Sequence, residues 1–374
     1  MKNMSKLPDG WKEYKLSEIF DEVAEKNHPD ADVLTIVQGI GTVLREDSGR
    51  EIVYDKNSLA NYKFVRKGDF IIHLRSFEGG LEVANQDGIV SPAYIILHPK
   101  MEVSTTYLYS LFHSNRFINQ TMAPAVEGAR DGRSVKYDVL KQQKIPFPLL
   151  PEQQKIAEIL STQDKIIELK EKLLEQKQEQ KKYLVKKIMF ASDEHNAVLA
   201  DIIDLISIRS CASQNCYVST ENMISNYGGI IFSEEGQIVE GIAFRKDDIL
   251  VANIRPYLKK VWRASIDGVC SADVLVFRAK KATPLYLYYL VANDTFCEYV
   301  MNGVKGTKMP RGDKKQILQM PLFIPTISEQ QAIAEVLSTA DKEIDLLKAE
   351  IEQEKLKKKS LMQLLLTGIV RVKV

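Results

Sequence analysis

The sequence lacks the features of a membrane or secreted protein. It contains no apolar run of about 18 residues, the length that a helix needs to span a bilayer. Residues 1–10 have no apolar core of the kind that secretory signals carry. The 4 cysteines form no Cys-x-x-Cys pair, and we expect free, buried thiols in a reducing cytoplasm at Cys211, Cys216, Cys270 and Cys297. The prediction is a cytoplasmic protein with no membrane contact.

Motifs for chemistry are also missing. There is no glycine-rich phosphate loop, since Gly79-Gly80 and Gly228-Gly229 fit turns better. The 5 histidines are scattered without the spacing of metal ligands. No motif for methylating an exocyclic amine, for a helicase or for a nuclease stands out. We therefore predict no catalytic residue and no bound metal. A cysteine hydrolase built on Cys211 or Cys270 is the weakest alternative.

The charge is almost balanced. Lys and Arg together number 51 and Asp and Glu together 50, which gives a net charge of +1. Nucleic-acid-binding proteins often carry a strong basic excess, so this balance argues weakly against that class. It does not exclude the class, because many acidic residues lie in two helical segments and basic residues can cluster elsewhere.

One stretch occurs twice and divides the chain into two similar halves. Residues 152–165 and 329–342 are identical at 11 of 14 positions, at a constant offset of 177 residues. Each copy opens a segment without Gly or Pro, which extends to Phe190 in the first half and to Thr367 in the second. Both segments are rich in strong helix formers and predict helices of roughly 40 residues, about 60 Å long.

Apolar residues recur every seven positions along both predicted helices. This spacing predicts a coiled-coil seam made of Leu160, Ile167, Leu174, Leu337, Ile344 and Ile351. The two series continue through Lys181 to Ile188 and through Lys358 to Leu365, so each has a lysine at its fourth step. A polar interruption of this kind fixes register at some cost in stability. We expect the two helices to pair with each other in antiparallel orientation, because a globular domain lies between them in the chain.

A second apolar row lies beside the seam of the first helix. It consists of Ile159, Ile166 and Leu173. A two-stranded seam does not need a stripe this wide. Either a globular domain folds over the row or the row is a docking face for another subunit, and both interpretations stay open.

The segments before the two helices follow one plan. Residues 67–72 correspond to 246–251, and residues 87–91 correspond to 267–271. The connecting segments diverge, as between 38–62 and 214–239. We predict a mixed α+β fold with an internal pseudo-twofold repeat. Its parts are two globular domains, 1–148 and 191–325, and two long helical segments, 149–190 and 326–374.

Basic and amide side chains recur in matched loops of the two domains. Arg and Lys neutralise phosphates, and Arg and Asn also read base edges. The candidate DNA-binding residues are Arg75, Ser76, Arg130, Arg133 and Lys136 in the first domain, and Asn253, Arg255, Tyr257, Lys259, Lys260, Lys305, Lys308 and Arg311 in the second. The competing interpretation is that they are solvated loop charges.

The chain resembles the specificity subunit of a type I restriction-modification system. The resemblance is carried by the doubled Glu-Gln-Gln helix, the opening from Pro8 to Trp11 and the strand at 68–72. It implies two target-recognition domains that each read half of a split, non-palindromic site on double-stranded DNA. The helices hold these domains apart. The second half departs from the pattern, with residues 198–202 where a Pro-x-Gly-Trp opening would stand.

The same resemblance implies a set of partners. Two methyltransferase subunits dock on the helices, and restriction (translocase-nuclease) subunits join that complex. The chain itself holds no cofactor, since the partners use S-adenosylmethionine, ATP and magnesium. Methylation of adenine N6 requires the methyltransferase to flip the base out of the duplex.

A coiled-coil scaffold that binds proteins at both ends and never contacts DNA is the main alternative. The near-neutral charge favours it slightly, whereas the duplicated basic loops and the family resemblance oppose it. The salt dependence of DNA affinity in the assembled complex separates the two hypotheses, because phosphate contacts make binding steeply sensitive to salt.

Overall fold

The computed structural model describes residues 7–49, 56–128, 133–190, 194–304, 306 and 308–373. The chain divides into two compact units: the first unit holds residues 1–170 and 350–374, and the second unit holds residues 171–349. Each unit contains strands, short helices and one part of each of two long helices. The predicted α+β class with two long helices is confirmed.

A four-stranded antiparallel sheet lies at the centre of the first unit. The strands of this unit are β1 (Lys12–Lys15), β2 (Phe20–Val23), β3 (Leu34–Val37), β4 (Gly41–Leu44), β5 (Lys63–Val65), β6 (Phe70–Ile72), β7 (Glu82–Val83), β8 (Gly88–Val90), β9 (Ile95–Pro99), β10 (Val126–Glu127), β11 (Ser134–Val135) and β12 (Lys144–Phe147). The sheet has the order β2-β9-β6-β7, and the pairs β1-β12, β3-β4, β5-β8 and β10-β11 surround it. Its short helices are α1 (Leu16–Ile19), α2 (Ser76–Gly79), α3 (Thr105–Phe112) and α4 (Tyr137–Leu140).

The second unit repeats this sheet. Its strands are β13 (Ala197–Val198), β14 (Ile203–Ile206), β15 (Arg209–Ser213), β16 (Tyr217–Val218), β17 (Ile238–Phe244), β18 (Ile249–Ala252), β19 (Val261–Arg263), β20 (Gly268–Cys270), β21 (Val274–Ala279) and β22 (Pro321–Leu322). The order β14-β21-β18-β19 matches that of the first unit, and β13-β22 matches β1-β12. A second four-stranded sheet, β15-β17-β20-β16, extends the pair β17-β20, which corresponds to β5-β8 of the first unit. The short helices are α6 (Leu199–Ile202), α7 (Pro284–Val291), α8 (Asp294–Asn302) and α9 (Lys314–Leu318).

A buried aspartate precedes the central strand of each sheet. Asp69 accepts the backbone N–H of Arg66 at 2.8 Å, and Asp248 accepts that of Arg245 at the same distance. Each aspartate also meets a side chain of the neighbouring strand, His98 in the first unit and an arginine in the second. A buried carboxylate needs such partners, which explains why both copies of the repeat keep an aspartate at this position.

Helix α3 ends before the apolar residues of its segment do. Phe117 and Ile118 follow in the sequence, but α3 ends at Phe112. Ser114 then accepts the backbone N–H of Phe117 at 3.2 Å and opens a separate π-helical turn. Serine competes for backbone hydrogen bonds in this way and so favours the start of a helix over its interior.

The two long helices are α5 (Leu150–Met189) and α10 (Ile327–Leu365). In the first unit Gln163 contacts Glu354, and Lys170 lies 2.8 Å from Glu350. In the second unit Lys177 lies 2.8 Å from Glu343. As the residue number rises on α5 it falls on α10, so the helices are antiparallel within each unit, as predicted.

The first glutamine of the Glu-Gln-Gln motif is buried in both copies. Gln153 accepts the N–H of Ser104 at 3.0 Å and donates to the carbonyl of Pro148 at 3.0 Å. Gln330 accepts the N–H of Thr283 at 2.8 Å and donates to the carbonyl of Pro325 at 3.1 Å. The motif therefore joins a long helix to the first turn of α3 or α7 in its own unit.

The heptad seam is buried along most of its length. Of the six predicted seam residues, five are at most 9% exposed and Leu174 is half-buried. Leu160 and Leu337 belong to the apolar cores of the globular parts. Ile188 is wrong as the last residue of the first series, because it is 37% exposed while Val185 and Met189 are buried. A straight α-helix drifts by about 20° per heptad, so a strict seven-residue series leaves the buried face.

The two lysines that interrupt the heptad series each have an aspartate partner on the opposite helix. Lys181 pairs with Asp341 in the second unit, and Lys358 pairs with Asp164 in the first. These two pairs correspond through the 177-residue repeat. The lysine that interrupts each heptad series thus belongs to an ion pair, and there is one such pair in each unit.

The two ends of the chain meet within the first unit. Glu152 is 3% exposed and accepts Trp11 Nε1–H at 3.1 Å. Arg371 donates to both oxygens of Glu152 at 2.7 and 2.8 Å, and to the carbonyl of Asp9 at 2.6 Å. The matching Glu329 instead accepts the N–H of Thr326 at 2.9 Å. The carboxylate of Glu329 is thus satisfied by a nearby residue, which agrees with a second half whose sequence has no Pro-x-Gly-Trp opening.

Candidate nucleic-acid interface

Two loops of the second unit that carry predicted DNA-binding residues lie side by side. Ile254 and Arg311 form an isolated antiparallel bridge. The N–H of Arg255 donates to the carbonyl of Pro310 at 2.7 Å, and the N–H of Gly312 donates to the carbonyl of Asn253 at 3.1 Å. Residues far apart in sequence are thus brought to one place, which we call the second-unit loop pair (residues 253–260 and 308–312).

Four predicted residues of this loop pair are exposed. They are Arg255, Tyr257, Lys308 and Arg311. Arg311 Nε lies 3.1 Å from Asp273, which holds the guanidinium at the surface. Met309 lies between the last two and is 47% exposed, a feature that sequence reasoning missed. Cations, an amphipathic aromatic ring and a thioether on one surface can contact phosphates and base edges together.

Three other predicted residues of the second unit are held by the protein itself. Asn253 is only 7% exposed. Lys259 Nζ lies 2.7 Å from Asp294, and Lys260 Nζ donates to the carbonyl of Thr220 at 2.7 Å. The burial of Asn253 argues against a direct base contact in this conformation. Lys305 lies outside the described residues.

The first unit has a corresponding pair of segments, which we call the first-unit loop pair (residues 73–80 and 133–136). Arg75 is exposed, whereas Ser76 is fully buried and accepts the N–H of His73 at 2.8 Å. The burial of Ser76 argues against a direct DNA contact in this conformation, because its hydroxyl is used inside the loop. Leu74, which the sequence analysis did not single out, is 62% exposed.

The remaining predicted cations of the first unit lie on the second of these segments. The Arg133 guanidinium lies 4.5 Å from the centre of the Phe77 ring and 3.7 Å from Glu78. Lys136 is exposed and pairs with Glu127. Arg130 lies outside the described residues. Arg133 thus joins the two segments of the first-unit loop pair.

The loop pairs differ in backbone strain. Non-glycine residues with positive φ include Asn226, Tyr227, Arg255 and Lys259 in the second unit. The N–H of Asn226 donates to the carbonyl of Leu258 at 2.9 Å, so the loop at 226–229 contacts the loop pair. Strained backbone of this kind clusters at binding sites, where the surroundings hold it in place.

Buried polar atoms without a hydrogen-bond partner lie beneath both loop pairs. In the first unit they are His73 Nε2 and Glu82 Oε2, and in the second unit Asn253 Oδ1. Burial lowers the pKa of His73, which favours the neutral ring. His73 and Asn253 each stand two residues before an exposed arginine, Arg75 or Arg255. The core under both arginine-bearing loops is therefore incompletely paired.

No metal-binding group is found among the described residues, in which no three His, Cys, Asp or Glu side chains gather as metal ligands would. Three histidines instead pair with single carboxylates, namely His28 with Glu25, His98 with Asp69 and His113 with Glu82. No helix in the described part of the chain is long and apolar enough to cross a bilayer. Of the cysteines, Cys270 and Cys297 are buried, but Cys211 is exposed, so the expectation that all are buried is wrong.

The apolar row beside the seam is covered in part. Ile159 packs against the core of the first unit, and Ile166 is half-buried. Leu173 is 43% exposed, as are Leu169 at 53% and Leu346 at 66%. The interpretation that a globular domain covers the row thus applies to Ile159, and docking of another subunit at Leu173 stays a prediction.

Comparisons with known proteins agree on one family. A sequence profile described as the type I restriction modification DNA specificity domain matches residues 8–178 and again 211–355. The type I restriction enzyme MjaVIII specificity subunit of Methanocaldococcus jannaschii is 25% identical, covering 94% of this chain and 88% of the relative. The EcoDI specificity subunit of Escherichia coli is 32% identical over 27% of this chain and 22% of the relative.

Solved structures share the fold. The HsdS subunit from Thermoanaerobacter tengcongensis superposes with a TM-score of 0.57 at 15% identity, covering 98% of this chain and 99% of that one. A chain from a study of complex assembly and conformational transition of the type I R-M system gives a TM-score of 0.67 at 14% identity, covering 98% and 100%. At these identities the structural likeness bears on the fold alone.

Proposed function

Because the chain belongs to the type I restriction modification DNA specificity family, in which other subunits perform the chemistry, we propose that it reads a bipartite, non-palindromic DNA site. The observation that carries the proposal is the contrast between like scaffolds and unlike loops. The same four-stranded order occurs in both units, while the loop pairs at the same place present different side chains. Two different readers on one scaffold bind two different half-sites.

The exposed cations supply two kinds of contact. Arg75 in the first unit and Arg255 in the second project from the loops that follow matched central strands and suit bidentate contacts to guanine. Lys136, Lys308 and Arg311 suit phosphates, which position a protein on the duplex without reading sequence. Local clusters of this kind bind DNA even though the net charge of the chain is only +1.

The long helices are proposed to dock two methyltransferase subunits, which in turn recruit restriction subunits. Exposed apolar side chains on these helices support the proposal, notably Leu169, Leu173 and Leu346. Leu169 and Leu173 stand one helical turn apart on α5, and contiguous exposed apolar surface of this kind is typical of protein contacts. In this scheme the partners use S-adenosylmethionine, ATP and magnesium, the chain holds no cofactor, and the complex works on cytoplasmic DNA.

Methylation mapping tests the proposal. The full chain is co-expressed with its cognate methyltransferase, and methylated adenines are located across the host DNA. We expect one motif with two unequal specified parts and a fixed gap. Arg75→Ala and Arg255→Ala should each weaken modification, and each should relax sequence preference in a different part of the motif.

The scaffold alternative predicts other results. The proposed function would be overturned if a complex that contains the chain bound DNA without salt dependence. It would also be overturned if methylation were unchanged when the chain is omitted. Lysine or arginine contacts to phosphate make log affinity fall linearly with log salt concentration, so a titration of the assembled complex gives the answer.

A further inference from the structure

The second-unit loop pair is held in a strained shape. Arg255 and Lys259 bracket the exposed Tyr257 and have φ angles of 49° and 53°. The adjoining loop holds Asn226 and Tyr227 at 56° and 60°. The N–H of Tyr227 donates to the carbonyl of Lys259 at 2.8 Å, so the two loops form one strained surface. Left-handed backbone at non-glycine residues relaxes unless neighbouring contacts hold it.

One carboxylate fastens both loops. Asp294 is the first residue of α8, and its Oδ1 accepts Lys259 Nζ at 2.7 Å and the Tyr227 hydroxyl at 3.4 Å. Burial, and then the nearby charge of Asp294, raises the pKa of Tyr227, so its phenol stays a donor at neutral pH. Lys259 and Tyr227 are two of the four strained residues, and Asp294 ties each of them to a rigid helix.

The core beneath the loops is not fully packed. A cavity of about 20 Å³ lies there, lined by Tyr227, Asn253 and Lys259 among others. This volume has room for roughly one water molecule. Asn253 Oδ1 is buried beneath the loop without a hydrogen-bond partner. Because close packing is incomplete on this side, the contacts to Asp294 become important for the shape of the loops.

We propose that Asp294 is a positioning residue for DNA recognition by the second unit. Its carboxylate holds Lys259 and Tyr227 so that Arg255 and Tyr257 keep the orientation in which they meet DNA. Asp294 itself makes no DNA contact, and Lys259 acts through this ion pair instead of through a phosphate. The inference rests on the proposed function and adds the residue that shapes one of the two readers.

The first unit supplies a matched position without this contact. Ser114 and Asn293 correspond, because each accepts the N–H of the residue three positions later, at 3.2 and 3.0 Å. The next residue is Asp294 in the second unit and the exposed Asn115 in the first. A change at Asn115 therefore serves as a control in the same structural setting. The asymmetry predicts that loss of Asp294 affects one half-site alone.

The test measures discrimination by the full chain assembled with its methyltransferase. Binding is compared for the mapped site, for the site with one half scrambled and for the site with the other half scrambled. Asp294→Asn should reduce discrimination at one half by about two- to tenfold, since the ion pair is partly exposed. Discrimination at the other half should stay at its wild-type value, and Asn115→Ala should change neither.

Salt titration separates positioning from phosphate contact. Removing a phosphate-contacting lysine lowers the magnitude of the salt slope by about one. Lys259→Met should weaken discrimination as Asp294→Asn does and leave the slope unchanged, and the double variant should be no weaker than either single one. Circular dichroism melts establish that both variants are folded.

Each contrary outcome has a distinct meaning. If the wild-type complex prefers the mapped site and Asp294→Asn discriminates as well as the wild type, the inference is overturned but the proposed function is not. The same holds if Asp294→Asn loses discrimination equally at both half-sites. A fall in the salt slope for Lys259→Met makes Lys259 a phosphate ligand and likewise overturns it. A wild-type complex that shows no preference for the mapped site overturns the proposed function, and the inference with it.

Discussion

Gln330 illustrates how a single side chain of the repeated motif holds a helix start in place. It is 1% exposed and satisfies the N–H of Thr283. Gln330→Ala should leave this donor unpaired and lower the free energy of unfolding by about 1–3 kcal/mol. Gln331→Ala is the matched control, because Gln331 is exposed and its loss should change stability by less than about 0.5 kcal/mol. Equal urea midpoints for the two variants would contradict the assignment.

The cysteines differ in environment, and their reactivity should differ accordingly. Burial raises the pKa of Cys270 to about 12, whereas Cys211 is exposed. Because the thiolate is the reactive form, Cys270 should resist a disulfide reagent at pH 8 in the native protein, and Cys211 should react at once. The measurement is the stoichiometry and rate of labelling in native and denatured protein, with Cys211→Ser as control. Fast native labelling of Cys270 would refute this. A raised pKa also argues against a nucleophilic role for this thiol.

The sequence could not predict which side chains of the loops are exposed. Arg75 and Ser76 are neighbours of suitable chemistry, but the turn after the strand places one outside and the other inside. Lys259 has its partner, Asp294, 35 residues away. Tertiary contacts of this length leave no local pattern. The matched loops themselves were predictable, because the repeat aligns the strands that carry them.

At the scale of elements, the strong helix formers and the lack of glycine and proline predicted the two long helices, the heptad series predicted their seam, and the order of elements in the chain predicted their antiparallel pairing. It failed at Ile188, where the drift of a straight helix moves the buried face to Val185 and Met189. The seam residues near the helix starts belong to globular cores, which period analysis alone does not reveal. The second sheet of the second unit was not predicted either, since β15 and β16 join it through pairings between strands that no repeat period marks.

The repeated ion pairs make a prediction for the helix pair. Asp164→Lys should place two cations together at Lys358 and destabilise the first unit, by about 0.5–1 kcal/mol because Asp164 is half exposed. Adding Lys358→Asp should restore most of that loss. A double-mutant cycle from urea unfolding measures the coupling, with the pair Lys181–Asp341 left intact as internal reference. Additive effects of the two changes would show that the pair carries no coupling.

At the scale of the whole molecule, the proposed function makes helix length a determinant of site length. Inserting seven residues after Lys170 and seven after Ala349 adds about 10 Å to each helix, close to three base pairs of duplex. The seven added residues fall about 20° short of two full turns, so the buried face is nearly preserved. Methylation mapping should then find a gap longer by about three base pairs between unchanged half-sites. Altered half-site sequences with an unchanged gap would refute the prediction.

The contact of Arg371 with Glu152 has a consequence for biosynthesis. Leu365, Leu366 and Arg371 complete the first unit, yet a ribosome adds them only after every residue of the second unit. The core that contains Trp11 and Leu16 therefore stays open until residues 365–371 have been made, whereas all of the second unit has by then been synthesised. Nascent domains generally fold in the order of their synthesis. In this chain the order is reversed, so translation that stops before Leu365 leaves a protein whose first-made part is the unfinished one.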